Sequence, residues 1–534
     1  MGKWKALAVL GTAQFLMVLD TAVMNVSISR LVEDFHTTVT AIQTVIALYA
    51  LVMAAFMITG GKLGDLLGRR RAFGLGLVVY GLGSAITAAA PVLWVLALGW
   101  SVIEGLGAAI VLPALAALVA GSYRGRDRVL AYGVIGGLSG VGIAVGPLLG
   151  GWVTTYLTWR LVFVGEVVVV VVILALLRWI EVPPEAARRV RLDVVGAVLC
   201  AVGLAGIVLG ILQSSSWGWL RPKESPFTVF GFSATLFVVA AGGVVLGLFV
   251  SWERRREARG ADPLVRLELF RVPTLRAGLL MLLIQSTVLL GLFFVIPLYL
   301  QVVQEFSAFQ TGLRLLPVSA TMLVAAMSGS ALARAASPRT VARCGLLVML
   351  GAVVWLLATV EPVIDDLSFA FAMALLGLGM GLLASQLGNV VQSSVGEEAR
   401  SEAGGLQNTA QQFGSALGTA LIGAILIAAL AGALNKQIEA DPRISQAVRQ
   451  QVGVALETGV QFVPTDQVSA ALKQAQVPPD QAQHLVDAYA AAQLNGLKAA
   501  ILAAGGITLC GFGFTRHLPA RRLTAEKDVP SKEG

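Results

Sequence analysis

The stretch Gly60-Gly61-Lys62-Leu63-Gly64-Asp65-Leu66-Leu67-Gly68-Arg69-Arg70-Arg71 decides how the rest of the chain is read. It is a short charged turn, with apolar runs of about twenty residues on either side. Such a run crosses a bilayer as a helix, and an arginine-rich loop between two such helices faces the cytoplasm. Its glycines allow a tight reversal, and Asp65 is placed to cap a helix start or pair with an arginine.

The whole chain agrees with this turn. It is 57% hydrophobic and only 13% charged, with a mean hydropathy of +0.80, far from the composition of soluble domains. The apolar runs do not alternate with polar residues as barrel strands would, so the expected fold is an all-α polytopic membrane protein. About fourteen helices are expected. Their cores fall at 7–29, 41–59, 72–90, 93–119, 129–154, 161–181, 193–213, 228–251, 276–302, 309–334, 341–360, 367–392, 404–433 and 496–515. Residues 1–181 then form an N-terminal six-helix bundle and 182–275 carry two extra helices with basic linkers. Residues 276–515 form a C-terminal bundle and 516–534 a cytoplasmic tail.

Charge sets the expected orientation. Placing both termini inside puts Lys62, Arg69 to Arg71, Arg124, Arg126, Arg128, Arg188, Arg189, Arg191, Arg254 to Arg256, Arg259, Arg334, Arg339, Arg343, Arg516, Arg521 and Arg522 on the cytoplasmic face. The net charge of +8 then reads as a topology signal and an attraction to anionic lipid, not as nucleic-acid binding. The first apolar run follows Lys3 and Lys5 but continues through Ile28 without a cleavage site, so it reads as a retained helix. Cys200, Cys344 and Cys510 lie far apart inside apolar runs, and His36, His484 and His517 fall in loops or at ends, so no metal site is expected. No phosphate-binding Gly-x-x-x-x-Gly-Lys-Ser/Thr loop occurs, which argues against ATP-driven transport, and no catalytic constellation points to an enzyme. The one long polar segment, 434–495, is expected outside. Asp441-Pro442, Pro464-Thr465-Asp466 and Pro478-Pro479-Asp480 divide it into helical pieces. It reads either as a solvated lid or spacer, or as a docking surface for an envelope partner.

Several motifs carry chemistry. In helix 1, Leu19-Asp20-Thr21 is followed one turn later by Asn25. Asp20 lies about 13 residues, or ~20 Å at helical rise, from the helix start, too deep to reach water easily. Helix 4 holds Glu104-Gly105-Leu106-Gly107-Ala108-Ala109, with Glu104 about 11 residues from either end; an acid at that depth without a nearby cation suits proton exchange. Helix 5 carries Gly136, Gly140, Gly142, Gly146-Pro147 and Gly150-Gly151, spaced for close backbone approach and a kink. Trp159-Arg160 and Phe163 follow, and helix 6 adds Glu166. In the second half, Gln285, Gln386, Asn389, Asn408 and Gln411 are neutral polar groups that either face a cavity or join helices. No membrane-depth acid occurs there.

The opening turn resembles the Gly-x-Leu-x-Asp-x-x-Gly-Arg-Arg loop between helices 2 and 3 of the major facilitator superfamily. The helix 5 glycines resemble its antiporter motif, and the Asp20 region is similar to the fourteen-helix drug:proton antiporter branch (QacA/EmrB-like). Ile296-Pro297-Leu298-Tyr299-Leu300-Gln301, Gly312-Leu313-Arg314-Leu315-Leu316-Pro317 and Gly404-Gly405-Leu406-Gln407-Asn408-Thr409 are similar to the same branch. The resemblance covers nearly the whole chain. It implies two six-helix bundles with two inserted helices, alternating access, and proton-coupled export of hydrophobic, cationic drugs. The gradient would supply the energy without a cofactor, from a bacterial cytoplasmic membrane. It implies a gating role for Gly61, Asp65, Gly68, Arg69 and Arg70, and a coupling role for Asp20, Glu104 and Glu166. Gly142, Gly146, Pro147, Gly150 and Gly151 would form the antiporter helix, and Asn25, Gln285, Gln386, Asn389 and Asn408 are cavity candidates. Three positions depart from the family pattern: Leu66 replaces a basic residue, Ser101 replaces the arginine of the helix 4 motif, and Glu104 replaces its glutamine. Helices 3, 6, 9 and 12 are peripheral in this fold, so Glu166 reads equally as a functional acid or as a group paired near the outer surface. The alternatives are export of a lipid, amphiphile or endogenous metabolite, and a non-transporting membrane receptor or sensor.

Overall fold

The computed structural model describes residues 2–123, 125–180, 192–220, 222, 225–396, 399–446, 448–449 and 461–520. Arg124, Arg188, Arg189, Arg191, Arg521 and Arg522 lie outside the described residues, as does most of the 182–192 linker. The first bundle comprises α1 (Gly2–Val26), α3 (Val39–Leu67), α4 (Arg69–Ala88), α5 (Leu93–Leu96) running through a π-helical turn into α6 (Gly105–Ser122), α7 (Gly125–Tyr156) and α8 (Arg160–Leu176). A short α2 (Ile28–Asp34) follows α1. The inserted pair is α9 (Val194–Trp217) and α10 (Ala234–Ala258), joined through a small hairpin of β1 (Thr228–Val229) and β2 (Phe232–Ser233). The second bundle is α11 (Pro273–Leu298), α12 (Ala308–Met327) with α13 (Gly329–Ala335), α14 (Pro338–Thr359), α15 (Asp366–Ser393), α16 (Arg400–Ala440) and, after α17 (Thr465–Gln474), α18 (Pro479–Thr515).

Thirteen described spans are long and apolar enough to cross a bilayer. The remaining one of the expected fourteen is α12, made more polar by Gln310, Thr311, Arg314, Ser319 and Thr321. Two expected runs are broken by serines. The Ser27 hydroxyl bonds to the Val23 carbonyl and to Thr154, ending α1, and the Ser328 hydroxyl bonds to the Ala325 carbonyl, ending α12. At the other extreme, α16 has 41 residues and α18 has 37, about 60 and 55 Å at helical rise against a core of about 30 Å. Both therefore project beyond the bilayer. Tyr489 and Gln493 on the projecting part of α18 bond to the backbone of Gln461 and Val463, and Phe462 is buried there. The polar segment is thus seated on extended transmembrane helices.

The bundles meet along two helix pairs. On α7 and α12, a Cβ on Gly151 would strike Ala308, one on Gly312 would strike Pro147, and one on Gly140 would strike Leu323, while the Ser319 hydroxyl donates to the Ile143 carbonyl at 3.1 Å. Further along α7, a Cβ on Gly133, Gly136 or Gly137 would meet nothing within 4 Å. The pair is closely packed from the Gly151 end to Gly140. On α3 and α16, the Gln43 amide donates to the Thr419 carbonyl at 2.7 Å. The inserted α9 lies against both α3 and α16. The linker after α10 is fastened as well: Glu253 accepts from the Leu264 and Val265 amides, and Arg266 pairs with Glu402 at the start of α16.

Candidate functional site

Three membrane-depth acids, far apart in sequence, come together inside the first bundle. One carboxylate oxygen from each of Asp20, Glu104 and Glu166 lies within 4.8 Å of the other two, and the residues are 0, 0 and 1% exposed. The Trp100 indole N–H donates to Asp20 at 2.9 Å. The Ser84 hydroxyl lies 3.0 Å from Glu104 and 3.1 Å from Glu166, with the Tyr80 hydroxyl 3.3 Å from Glu166. Asp20 Oδ2, Glu104 Oε1 and Glu166 Oε1 have no hydrogen-bond partner among the described residues. None of the described lysines or arginines pairs with any of the three.

Local structure explains the meeting. Ala97–Glu104 is a wide π-helical turn in the middle of helix 4, a feature that often marks functional positions. It carries Trp100, stacked at 4.4 Å on Tyr49 of α3, and ends at Glu104. Helix 3 can approach because Gly83 sits against the Glu104 backbone and Gly107 against Tyr80, where a Cβ on either glycine would collide. Burying polar groups here requires partners, and the indole and hydroxyls supply neutral ones. Ser101, in place of the family's arginine, has its hydroxyl committed to the Val45 carbonyl at 2.7 Å. Neutral donors thus surround acids that sequence comparison would lead one to pair with a guanidinium.

Glu166 is buried and paired with polar neighbours, Tyr80 and Ser84, and it shares Ser84 with Glu104. The sequence reading passed over Trp100, Ser84, Tyr80 and Tyr49. Ser84 and Tyr80 are four residues apart on α4, so they share one helix face, and that spacing was the available signal. Three carboxylates form an oxygen donor set of the kind hard cations accept, a possibility the search for His and Cys spacings could not register.

The other candidates separate into roles. Gly68 ends α3 with φ +88°, a conformation that favours glycine, and Arg69 reaches across to the Ala117 carbonyl at 3.0 Å. Gly61 is half-buried, while Asp65 and Arg70 are exposed. Cβ atoms on Gly142, Gly146 and Gly150 would collide with Val18, Ala22 and Val23, so this face of α7 is fitted to the helix that carries Asp20. Gly151 and Pro147 form the contact with α12. Asn25 is buried, and its amide bonds to the Thr21 carbonyl one turn back. Gln285 and Gln386 are buried and donate to the Met380 and Gly329 carbonyls, tying helices together. Asn389 is exposed and Asn408 half-buried. Trp159 and Arg160 both bond Asp34, and Arg160 also reaches the Ala90 carbonyl, closing one end of the first bundle.

The sequence profile of the Major Facilitator Superfamily matches residues 10–419, more than half of the chain. The chain belongs to this superfamily. Among curated major facilitator relatives, it is 27% identical to the tetracenomycin C resistance and export protein of Streptomyces glaucescens, over 99% of this chain and 94% of the relative. It is 32% identical to puromycin resistance protein pur8 of Streptomyces alboniger, over 81% and 83%. It is 26% identical to the multidrug efflux pump LfrA of Mycolicibacterium smegmatis, over 96% of each. A major facilitator structure, a bacterial homolog of the human lysosomal transporter Spinster in an inward-facing, unoccupied conformation, superposes with a TM-score of 0.65 at 16% identity, covering 97% of this chain and 98% of that one. That likeness supports the shared fold.

Proposed function

We propose that this chain is a proton-coupled exporter of hydrophobic, cationic compounds of the antibiotic class, residing in a bacterial cytoplasmic membrane with its arginine-rich end inside. The observation that carries the reading is the buried group of Asp20, Glu104 and Glu166, served only by neutral donors among the described residues. Carboxylates this close repel one another when all are ionised, and no cation among the described residues offsets them, so they exchange and share protons as a unit. Proton loss leaves a negative site in low dielectric, which attracts a cationic substrate; protonation removes that attraction. One site can therefore hold protons or favour a cation, and that exclusion is the core of antiport.

The glycine seam connects this chemistry to movement. Gly142, Gly146 and Gly150 hold α7 against the Asp20 helix, and Gly151 places the same α7 against α12 of the other bundle. A change in the acid cluster is thereby coupled to the joint on which the bundles rock. With α7 and α12 closely packed from Gly151 to Gly140, the alternating-access reading has the opposite, arginine-rich end open and close. Positive-inside orientation makes that the cytoplasm, where drug enters and protons leave. The drug-export relatives support the substrate class.

The test uses purified protein in liposomes with an imposed proton gradient. Wild type should drive uptake of a lipophilic cation into inside-acid vesicles and show cation-driven proton movement. Asp20→Asn and Glu104→Gln should each lose both. Unchanged antiport in both variants would overturn the assignment.

A further inference from the structure

The β-hairpin joining the inserted helices has an unexpected tip. Phe230 and Gly231 form its two-residue turn with φ of +52° and +78°, the geometry that favours Asn-Gly or Gly-Gly. A phenylalanine in the left-handed region is an outlier for a bulky residue, and here the residue is 93% exposed. Around it, Phe227, Phe232, Trp219 and Leu220 are also exposed. The hairpin is tied back to the helix ends. The Ser233 amide donates to the Leu220 carbonyl, its hydroxyl to the Trp217 carbonyl, and the Ala234 amide to the Ser225 hydroxyl. A strained, rigid turn thus holds an aromatic cluster away from the protein.

Helix register fixes the depth of that cluster. The apolar face of α10 ends at Trp252, where Glu253 and Arg254 to Arg256 begin. From Trp252 back to Ala234 is about 27 Å at helical rise, close to the thickness of a hydrocarbon core of about 30 Å. The core boundary at the far end therefore falls at β2, and the tip lies about 7 Å further at strand rise. That places the Phe230 ring among lipid headgroups, the level at which aromatic side chains partition. The lipid-facing surface of α10, with Leu236, Val244 and Leu248 exposed, runs continuously toward it.

We infer that the hairpin Phe227–Phe232, with Trp219 and Leu220, is a membrane-interface anchor that seats the inserted helix pair in the leaflet opposite the arginine-rich end, its partner being the glycerol and headgroup region of phospholipid. The inference rests only on the membrane-spanning register of α10 and is independent of what the protein transports. The anchor gives α9, which lies against α3 and α16, a fixed level in the bilayer while the bundles move.

The experiment places a nitrobenzoxadiazole label on Phe230→Cys in full-length protein whose three native cysteines are replaced. The protein is reconstituted in phosphatidylethanolamine and phosphatidylglycerol liposomes. Phe227→Cys and Phe232→Cys report with the tip intact, and Gln474→Cys on the exposed α17 serves as the aqueous reference. Lipid spin-labelled at the headgroup should quench the hairpin labels several-fold more strongly than the Gln474 label, and aqueous iodide should quench them several-fold less. Equal iodide quenching at the hairpin and Gln474 would overturn the inference. So would protection from both quenchers, which would mean that protein covers the hairpin.

Discussion

The two bundles share a fold but bury different chemistry. The first encloses Asp20, Glu104 and Glu166 around Ser84, while the buried polar groups described in the second are neutral, among them Gln285, Gln386 and Thr419, which donate to backbone carbonyls. An amide bonded to a neighbouring helix carbonyl is a fastening, and one state suffices for it. Three carboxyl groups with unpartnered oxygens have several protonation states, each with a different charge. Under the proposed function, the difference would give charge handling to the first bundle and mechanical support to the second.

That contrast can be broken most severely at the acids themselves. Asp20→Asn should abolish coupled transport, leaving no proton-driven drug flux above that of protein-free liposomes, while drug binding persists at reduced affinity. Gly83→Val comes next. Its side chain would collide with Glu104, and overpacking of this kind costs about 1 to 3 kcal/mol. Thermal unfolding in detergent should fall and transport with it; a variant as stable and active as wild type would mean the helices are not in contact there. Trp100→Phe sharpens the comparison further. It keeps a ring against Tyr49 but removes the N–H that Asp20 accepts, a bond to a charged group worth about 1.5 to 3 kcal/mol. Because Asp20 loses that donor, the pH profile of antiport should shift, with folding retained; an unchanged profile would mean that the bond does not act on the proton step. Gln285→Leu should have the smallest effect: a stability loss of about 0.6 kcal/mol and an unchanged pH profile. A shifted profile there would place proton chemistry in the second bundle too.

Much of the fold was legible because a bilayer imposes a length and a polarity on every span. The Gly60–Arg71 stretch announced the pair of helices around it, but the reversal is narrower than expected: α3 runs to Leu67, α4 starts at Arg69, and only Gly68, with its positive φ, leaves the helix. Asp20 and Glu104 stood out because acids are rare at such depth. Their convergence with Glu166 was not legible, since it depends on the π-helical turn at Ala97–Glu104 and on Gly83 admitting helix 4 to close approach. Hydropathy reads helix length, not a widened turn. Trp100 passed as one apolar residue among many, although its N–H takes up the donor role that the absent motif arginine would be expected to fill. The serine breaks at Ser27 and Ser328 were missed for a similar reason, because a hydroxyl bonding back to its own helix leaves hydropathy almost unchanged.

The central claim is that protons and cationic substrate exclude one another at a single carboxyl cluster. The direct measurement is proton release from purified protein in weakly buffered detergent solution on addition of a saturating lipophilic cation, followed with a pH indicator dye. Wild type should release protons in proportion to protein, and Asp20→Asn combined with Glu104→Gln and Glu166→Gln should release none. Equal release from the triple variant would contradict the account.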